Sequence, residues 1–534
     1  MARILRYHEE TKHGFHRFAA SSGYLDWSTQ PDPFRRYAGA RHIPLTLSRQ
    51  CDKPYAALYQ NNVVPSPLNP ESISRFFRFG LGLAAWKSFQ GSRWALRVNP
   101  SSGNLHPSEA YVLLPKTGAE IETPGAFHYS PADHALECRA ELDAALLSEV
   151  LRPFPADSFL LGLSSILWRE AWKYGERAFR YCQHDAGHAL AALRLSAALL
   201  GWGLWLLPRW GDAASVFGLD RRDDFHAEEP ETLDWVAVVA PAAATVDVSL
   251  PPPGGDTLTQ IQELDWCGRA NALSPGHTHW PLAAQALADT HGALNPQCIG
   301  RPDGAGPLAL IADHPAEDLL LQRRSAVAFD GVSACASADF FRLLETSLPT
   351  NTPPWDALWW RPSVHLAIFV HRVRDVSPGL YLLVREPGTE TALRAALTSH
   401  RSWDAVPGAP NHLPLYCLAK GDMQDRAALL SCQQAIAGDS FFSLGMIAEF
   451  ESSLQTLGAS FYRNLFWEAG VIGQVLYLEA EAIGARATGI GCYFDDPVHE
   501  LLGIQDHSFQ SLYHFTVGFP VEDTRLTTLP PYTV

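Results

Sequence analysis

Four segments of the chain gather residue types that can hold a flat anionic ligand and move protons beside it. The first is Arg97-Val98-Asn99-Pro100-Ser101-Ser102-Gly103-Asn104-Leu105-His106-Pro107. Its prolines bracket small hydroxyl and amide residues, so the backbone can approach a planar ligand while Ser and Asn supply hydrogen bonds. An ordinary turn into the next element has the same composition. The second, Arg323-Arg324-Ser325 with Phe329-Asp330 behind it, joins two guanidinium groups to a hydroxyl. Guanidinium binds phosphate oxygens bidentately, which makes a phosphate clamp; a solvated surface pair is the alternative. The third is Thr488-Gly489-Ile490-Gly491-Cys492-Tyr493-Phe494-Asp495-Asp496. Its Gly-x-Gly lets peptide N–H groups face a ligand without obstruction, although a helix-to-strand turn needs glycine too. The fourth is Trp172-Lys173-Tyr174-Gly175-Glu176-Arg177, where a Lys beside a Tyr can lower the phenol pKa for proton transfer. The same residues also fit the start of an amphipathic helix with its charges in water.

His184-Asp185-Ala186-Gly187-His188 places two His four residues apart on a helix, close to the zinc-protease pattern. No third ligand stands out downstream, and no metal is expected.

The elements that must position these residues fall into two halves. Pro251-Pro252-Pro253-Gly254-Gly255-Asp256 cannot continue a helix or a central strand, and reads as a linker near the middle of the chain. Arg180, Gly187 and Gly201 keep spacings of seven and fourteen residues, and Arg463, Gly470 and Gly484 repeat them. Both intervals between glycines are helical; in the second, Ile472, Val475, Leu476, Ala480 and Ile483 share a face and Gly484 suits the helix end. A similar short motif follows each helix, Phe217-Gly218-Leu219-Asp220 and Leu502-Gly503-Ile504-Gln505-Asp506, and then an apolar strand over 235–239 or 513–517. Further strands are expected over 110–114 and 364–370. The mixture lacks a βαβ rhythm, so the class is α+β, and no Gly-x-Gly-x-x-Gly follows a strand, which leaves a dinucleotide-binding Rossmann domain unsupported. The expected organisation is a first module over 1–250, a linker with connecting helices over 251–310, and a second module over 311–534.

A length of 534 residues with 47% hydrophobic and 18% charged positions, 16 Trp and 26 Phe is that of a multi-core globular chain. A net charge of −16 argues against nucleic acid and anionic membranes as partners. The nine cysteines (51, 138, 182, 267, 298, 335, 417, 432 and 492) form no CxxC pair, which favours a reducing compartment. The first residues lack a signal-peptide core, and the apolar stretch 186–208 is interrupted by His188, Arg194 and Ser196, too early to span a bilayer. A cytoplasmic location is expected.

Together with Tyr7-His8-Glu9-Glu10-Thr11-Lys12-His13, Leu25-Asp26-Trp27, Gln30-Pro31-Asp32-Pro33-Phe34-Arg35, Pro378-Gly379-Leu380-Tyr381 and the tail from Arg525-Leu526 to Leu529-Pro530-Pro531-Tyr532, these segments resemble the nitroreductase superfamily, in its SagB/ThcOx-type dehydrogenase branch and in a two-module form. The resemblance implies two fused modules forming an intramolecular pseudo-dimer, with further oligomerisation left open, and FMN held where the modules meet. It implies that Arg323 and Ser325, with Arg525 from the tail, bind the phosphate; that Gly489, Ile490 and Gly491 contact one edge of the ring; and that Pro100, Ser101, Ser102 and Asn104 lie at another. Arg97, Asn464 and Cys492 sit beside or within those flavin-contacting segments. Lys173 and Tyr174 are the implied catalytic pair, assisting proton removal. The first half lacks an Arg-Arg-Ser counterpart, and Thr350-Asn351-Thr352-Pro353-Pro354 is a poor match for the loop, so one FMN per chain is expected and the mirror-image site reads as degenerate. The family's second cation beyond the Ser is replaced by Val327.

Three activities fit. The first is dehydrogenation of azoline-like rings in a small-molecule or modified-peptide substrate. The second is reduction of nitro or quinone compounds with NAD(P)H as donor, separable by whether NADPH bleaches the yellow protein. The third is a catalytically inactive flavin-fold scaffold that binds a partner, separable by the absence of bound flavin after purification.

Overall fold

Strands such as Phe159–Ile166 and Val364–Val370 are buried along their whole length, because near-continuous apolar runs have no solvent face to offer. In the computed structural model, which describes residues 1–47, 53–60, 63–294 and 314–532, they lie at the centres of two antiparallel sheets. The first runs in spatial order Arg41–Pro44, Ala135–Glu141, Gly125–Ser130, Ser108–Leu114, Phe159–Ile166, Glu231–Pro241, Trp202–Leu206. The second runs Asp404–Ala405, Leu415–Lys420, Gly379–Leu383, Val364–Val370, Phe442–Glu449, Phe509–Gly518, Arg486–Ile490. From the second position on the two orders correspond, including the late strand inserted ahead of its predecessor at the far edge; the first edge strand differs, Arg41–Pro44 preceding its sheet in sequence and Asp404–Ala405 lying between Gly379–Leu383 and Leu415–Lys420. The strands expected over 110–114, 235–239, 364–370 and 513–517 all lie within these elements. Among the described residues no helix is long and apolar enough to cross a membrane.

Between the sheets lie two 22-residue helices, α1 (Ala178–Leu199) and α2 (Phe461–Ala482), each buried almost throughout. They cross where each carries a glycine: a Cβ on Gly187 would sit 2.3 Å from the Trp467 carbonyl oxygen, and one on Gly470 would sit 2.4 Å from that of His184. A helix buried on every side must satisfy its polar groups internally. Arg180 pairs with Asp495, Gln183 donates to Asp234, Asp185 accepts from Ser102, and Ser196 donates to the Phe76 carbonyl. The repeat glycines Gly201 and Gly484 end the helices at positive φ of 68° and 73°.

One apolar cluster runs through both halves and includes α1 and α2. Smaller cores cover the outer face of each sheet. The termini are exchanged. Helix Ala2–Glu10 reaches the second half, where His8 meets Tyr462 and Gln510. The C-terminal strand Thr527–Leu529 extends the first-half hairpin Leu83–Phe89/Ser92–Arg97, and Tyr532 accepts from the Leu83 N–H.

The linker is shorter than its composition suggests. Pro251 to Gly254 is irregular, but Gly255 and Asp256 already open a helix, Gly255–Gln262. Ile261 of that helix packs into the outer core of the first sheet, and Arg269–Ala270 pairs with Tyr37–Ala38. Residues 255–294 therefore pack on the first half. The 310/311 boundary lies outside the described residues, as do Cys51 and Cys298.

Candidate functional site

A cavity of about 450 Å³ opens between the two halves. The first half contributes the hairpin residues Lys87, Trp94 and Leu96, the loop 97–104, and Tyr174, Tyr181, Asp185 and His188. The second contributes residues 323–327, Tyr477, Arg486, residues 488–492, Tyr513 and part of the 521–526 tail. Of the residues singled out by sequence, Arg97, Pro100, Ser101, Ser102, Asn104, Tyr174, Arg323, Ser325, Gly489, Ile490, Gly491 and Cys492 are brought together here.

Arg323 joins the halves directly. It is buried at the end of helix Ala316–Gln322, with Nε donating to the Val98 carbonyl at 2.9 Å and Nη2 to that of Arg97 at 3.0 Å. Its Nη1 is buried without a protein partner. Behind it the Tyr477 ring lies 4.9 Å from the guanidinium carbon, and the Tyr477 hydroxyl is hydrogen-bonded to Ser325 Oγ at 2.8 Å while accepting from the Gly489 N–H at 2.9 Å. The Gly-x-Gly works differently from its sequence reading. The Gly489 N–H is committed to Tyr477, and the missing side chains make room for rings: a Cβ would stand 1.9 Å from the Tyr513 hydroxyl at Gly489 and 2.0 Å from Tyr181 at Gly491.

The opposite wall is the loop after the hairpin. Ser102 donates through N and Oγ to Asp185 Oδ1, each at 3.0 Å; Ser101 Oγ accepts from the His106 N–H; Asn104 Nδ2 donates to the Ala95 carbonyl. Gly103, Asn104 and His106 all have positive φ, a tight course that brings the backbone against the neighbouring helix. A Cβ on Gly103 would lie 2.6 Å from the Tyr174 hydroxyl and 3.2 Å from Lys173 Nζ. Arg97 holds the loop by donating to the Ser108 and Pro33 carbonyls, and burial pushes its guanidinium down to about 10.

Lys173 and Tyr174 end a helix, Leu167–Tyr174, rather than starting one. Lys173 Nζ lies 5.3 Å from the Tyr174 ring centroid, over the ring. Burial, reinforced by Glu170, raises the Tyr174 phenol well above its ordinary range. The lowering expected from an adjacent Lys is overturned: the phenol stays protonated, and Tyr174 lines the cavity.

Three predicted residues, Lys173, Asn464 and Arg525, are not among those lining this cavity. Asn464 lies on α2 in a separate space of about 20 Å³ with Trp235, Trp359 and Trp467. Arg525 is exposed and pairs with Asp523 at 2.7 Å instead of turning inward. The small space adjoins strand Trp202–Leu206, which occupies in the first sheet the place that Arg486–Ile490 occupies in the second. Tryptophan rings fill it, leaving room for about one water.

Asp185, Tyr181, Tyr477 and Tyr513 escaped sequence reasoning as cavity residues. The signal for Asp185 was the HDxxH run, weighed there only for zinc. Burial pushes its carboxyl up to about 7, against the hydrogen bonds from Ser101 and Ser102 that lower it. Burial lowers both His184 and His188, so both rings are neutral; His184 stacks on Tyr513 at 4.1 Å and His188 Nε2 meets the Tyr513 hydroxyl.

Residues 64–219 match the model of the Nitroreductase family. No curated protein matches the chain. A crystal structure of a candidate nitroreductase from Anabaena variabilis superposes with a TM-score of 0.70 at 21% identity, covering 97% of this chain and 99% of that one. Nitroreductase A from Vibrio parahaemolyticus is similar at 14% identity over 38% of this chain and 66% of its own, with a TM-score of 0.24. The E. coli microcin synthetase McbBCD complex with truncated pro-MccB17 is similar at 19% identity over 46% and 82%, with a TM-score of 0.26. The chain thus has, over nearly its whole length, the fold of the Anabaena variabilis structure, and its first half carries a Nitroreductase family match.

Proposed function

We propose that this chain is an FMN-dependent oxidoreductase of the SagB/ThcOx dehydrogenase type, a fused pseudo-dimer that holds one flavin in the cavity between its halves and oxidises azoline-like rings in a small molecule or peptide. The observation that carries this reading is Arg323: a buried cation, fixed by carbonyls of the opposite half, that lines the cavity and keeps its Nη1 without a protein partner. A volume of about 450 Å³ is within the range of cofactor pockets. Lys87, Arg97, Arg323, Arg324 and Arg486 line it against Asp185, Glu522 and Asp523, a local cationic excess in an acidic chain that suits a phosphate.

Bound FMN would supply two-electron transfer to or from a substrate carbon. Arg323, with Ser325, would hold the phosphate. Residues 489–491 and the loop 100–104 would flank the ring. Tyr174, buried and protonated against Gly103, would donate a hydrogen bond to the substrate, and Asp185 would hold or release a proton through the Ser102 hydroxyl. Lys173, over the Tyr174 ring, would position that phenol. Val521, Glu522, Asp523 and Leu526 of the tail also line the cavity. The test is to load purified protein with FMN and offer an azoline-containing peptide. A product lighter by two hydrogens is expected, whereas bleaching by NADPH with no change in the peptide would favour nitro or quinone reduction.

A further inference from the structure

Two cysteines meet at the wall of the cavity. Cys492 directly follows Gly491 and lines the cavity; Cys432 comes from the turn at 431–434, which the Gln434 side chain and the Phe494 N–H tie to the segment carrying Cys492, and the two thiols interact. Both are free and half-buried, so a small thiol reagent can reach them. The turn is built to make this contact. Cys432 and Gln433 both adopt left-handed backbone, with φ of 53° and 59°, a conformation uncommon for residues with a side chain. Gln434 Nε2 donates to the Cys492 carbonyl at 3.1 Å and to that of Ser431 at 2.8 Å, and the Phe494 N–H donates to the Leu430 carbonyl at 2.8 Å. Strain of this kind persists only where surrounding bonds over-determine it. Here those bonds fix the two cysteine-bearing segments side by side.

The local charge favours thiol chemistry. The buried Arg177 guanidinium donates to the Gly491 carbonyl at 3.3 Å, one residue from Cys492. The contact with Cys432 lowers the Cys492 thiol below its ordinary value, burial opposes this, and Arg177 adds to the lowering. Cys432 is raised in turn by the same contact. The Arg177 guanidinium favours the thiolate form of either cysteine, and two thiols held side by side are the arrangement of an attacking and a resolving cysteine.

We propose that Cys432 and Cys492 are a redox-active dithiol, a second two-electron centre that closes to an intrachain disulfide and exchanges its electron pair with the flavin ring in the same cavity. The exchange rests on the flavin reading given above. With a low-molecular-weight disulfide of the glutathione type as oxidant, the Cys492 thiolate attacks one sulfur and releases one small thiol. Cys432 then displaces the second, losing its proton as the S–S bond closes. With oxidised flavin as acceptor, the same two electrons and two protons leave the dithiol for the ring, and the disulfide remains.

Two measurements on the full chain test this. Flavin-free protein is incubated with glutathione disulfide, alkylated, digested and mapped by mass. A peptide joining Cys432 to Cys492 is expected, and Cys432→Ser protein is expected to carry a glutathione adduct on Cys492 instead. FMN-loaded protein in the disulfide form is then titrated anaerobically with dithionite. Full reduction is expected to need about four electron equivalents per flavin, against about two in Cys432→Ser. Absence of the joined peptide overturns the proposal, and so does a linked protein that needs only about two equivalents. Failure to take up FMN defeats the flavin reading and the electron exchange with it, while the peptide map still reports on the disulfide by itself.

Discussion

Arg323 bears two duties, tying the loop of the opposite half to its own helix and leaving one donor for an anion. Arg323→Lys keeps the charge but not the fork, so it is expected to weaken FMN binding about 10- to 100-fold in a fluorescence titration. Asp185 gives a pH signature. Its folded value, pushed up to about 7, lies above the ordinary 3.8, so the folded protein retains a proton that the unfolded chain releases. That contribution is complete below about pH 4 and is lost as pH rises through about 7. Between pH 5 and 8 the wild type is expected to lose about 2–3 kcal/mol relative to Asp185→Asn in urea unfolding, since Asn does not ionise; parallel curves would refute the assignment. Tyr174→Phe is expected to retain FMN and to lower turnover by about 100-fold or more, measured as kcat with the flavin content held equal. The polar residues of the loop, the Arg-Arg-Ser and the Gly-x-Gly were legible in the sequence because small, polar and glycine residues cluster where backbone approaches a ligand. The aromatic residues around them were not: Tyr181, Tyr477 and Tyr513 sit on a buried helix or strand, where their types read as core.

At the scale of elements, the crossing of α1 and α2 fixes the cavity, because Tyr181, Asp185 and His188 on one helix face the cavity with Tyr477 on the other. Gly187→Ala would force a Cβ to within 2.3 Å of backbone that cannot yield, and is expected to cost about 3 kcal/mol or more. Gly484, unlike Gly187, has positive φ but open space around it, so Gly484→Ala is expected to cost only about 1 kcal/mol. Equal losses in urea unfolding would contradict close packing at the crossing. The repeat Arg-Gly-Gly spacing pointed to both helices and the strands after them, since helical period and burial leave a regular pattern. It could not reveal that 255–294 folds back on the first sheet, which depends on contacts far apart in sequence. Nor could it give the partner of Arg525, an adjacent carboxylate whose preference over a phosphate depends on where the tail runs.

Across the whole molecule, exchanged termini and a shared core make the halves one structure. The N-terminal helix rests on the second half, and the last strand completes a hairpin of the first, immediately before the loop that forms one cavity wall. Matching sheet orders set up two equivalent positions, but only one is open: about 450 Å³ on one side and about 20 Å³, packed with tryptophan, on the other. The asymmetry was readable in part, as an Arg-Arg-Ser present in one half and absent from the other. The filling of the second position by Trp235, Trp359 and Trp467 required the three-dimensional arrangement. The most direct measurement is the FMN content of the purified, saturated chain, from the flavin absorbance of heat-released cofactor against protein concentration by amino-acid analysis. About one FMN per chain is expected; a value near two, or none after incubation with excess FMN, would contradict a single site between unequal halves.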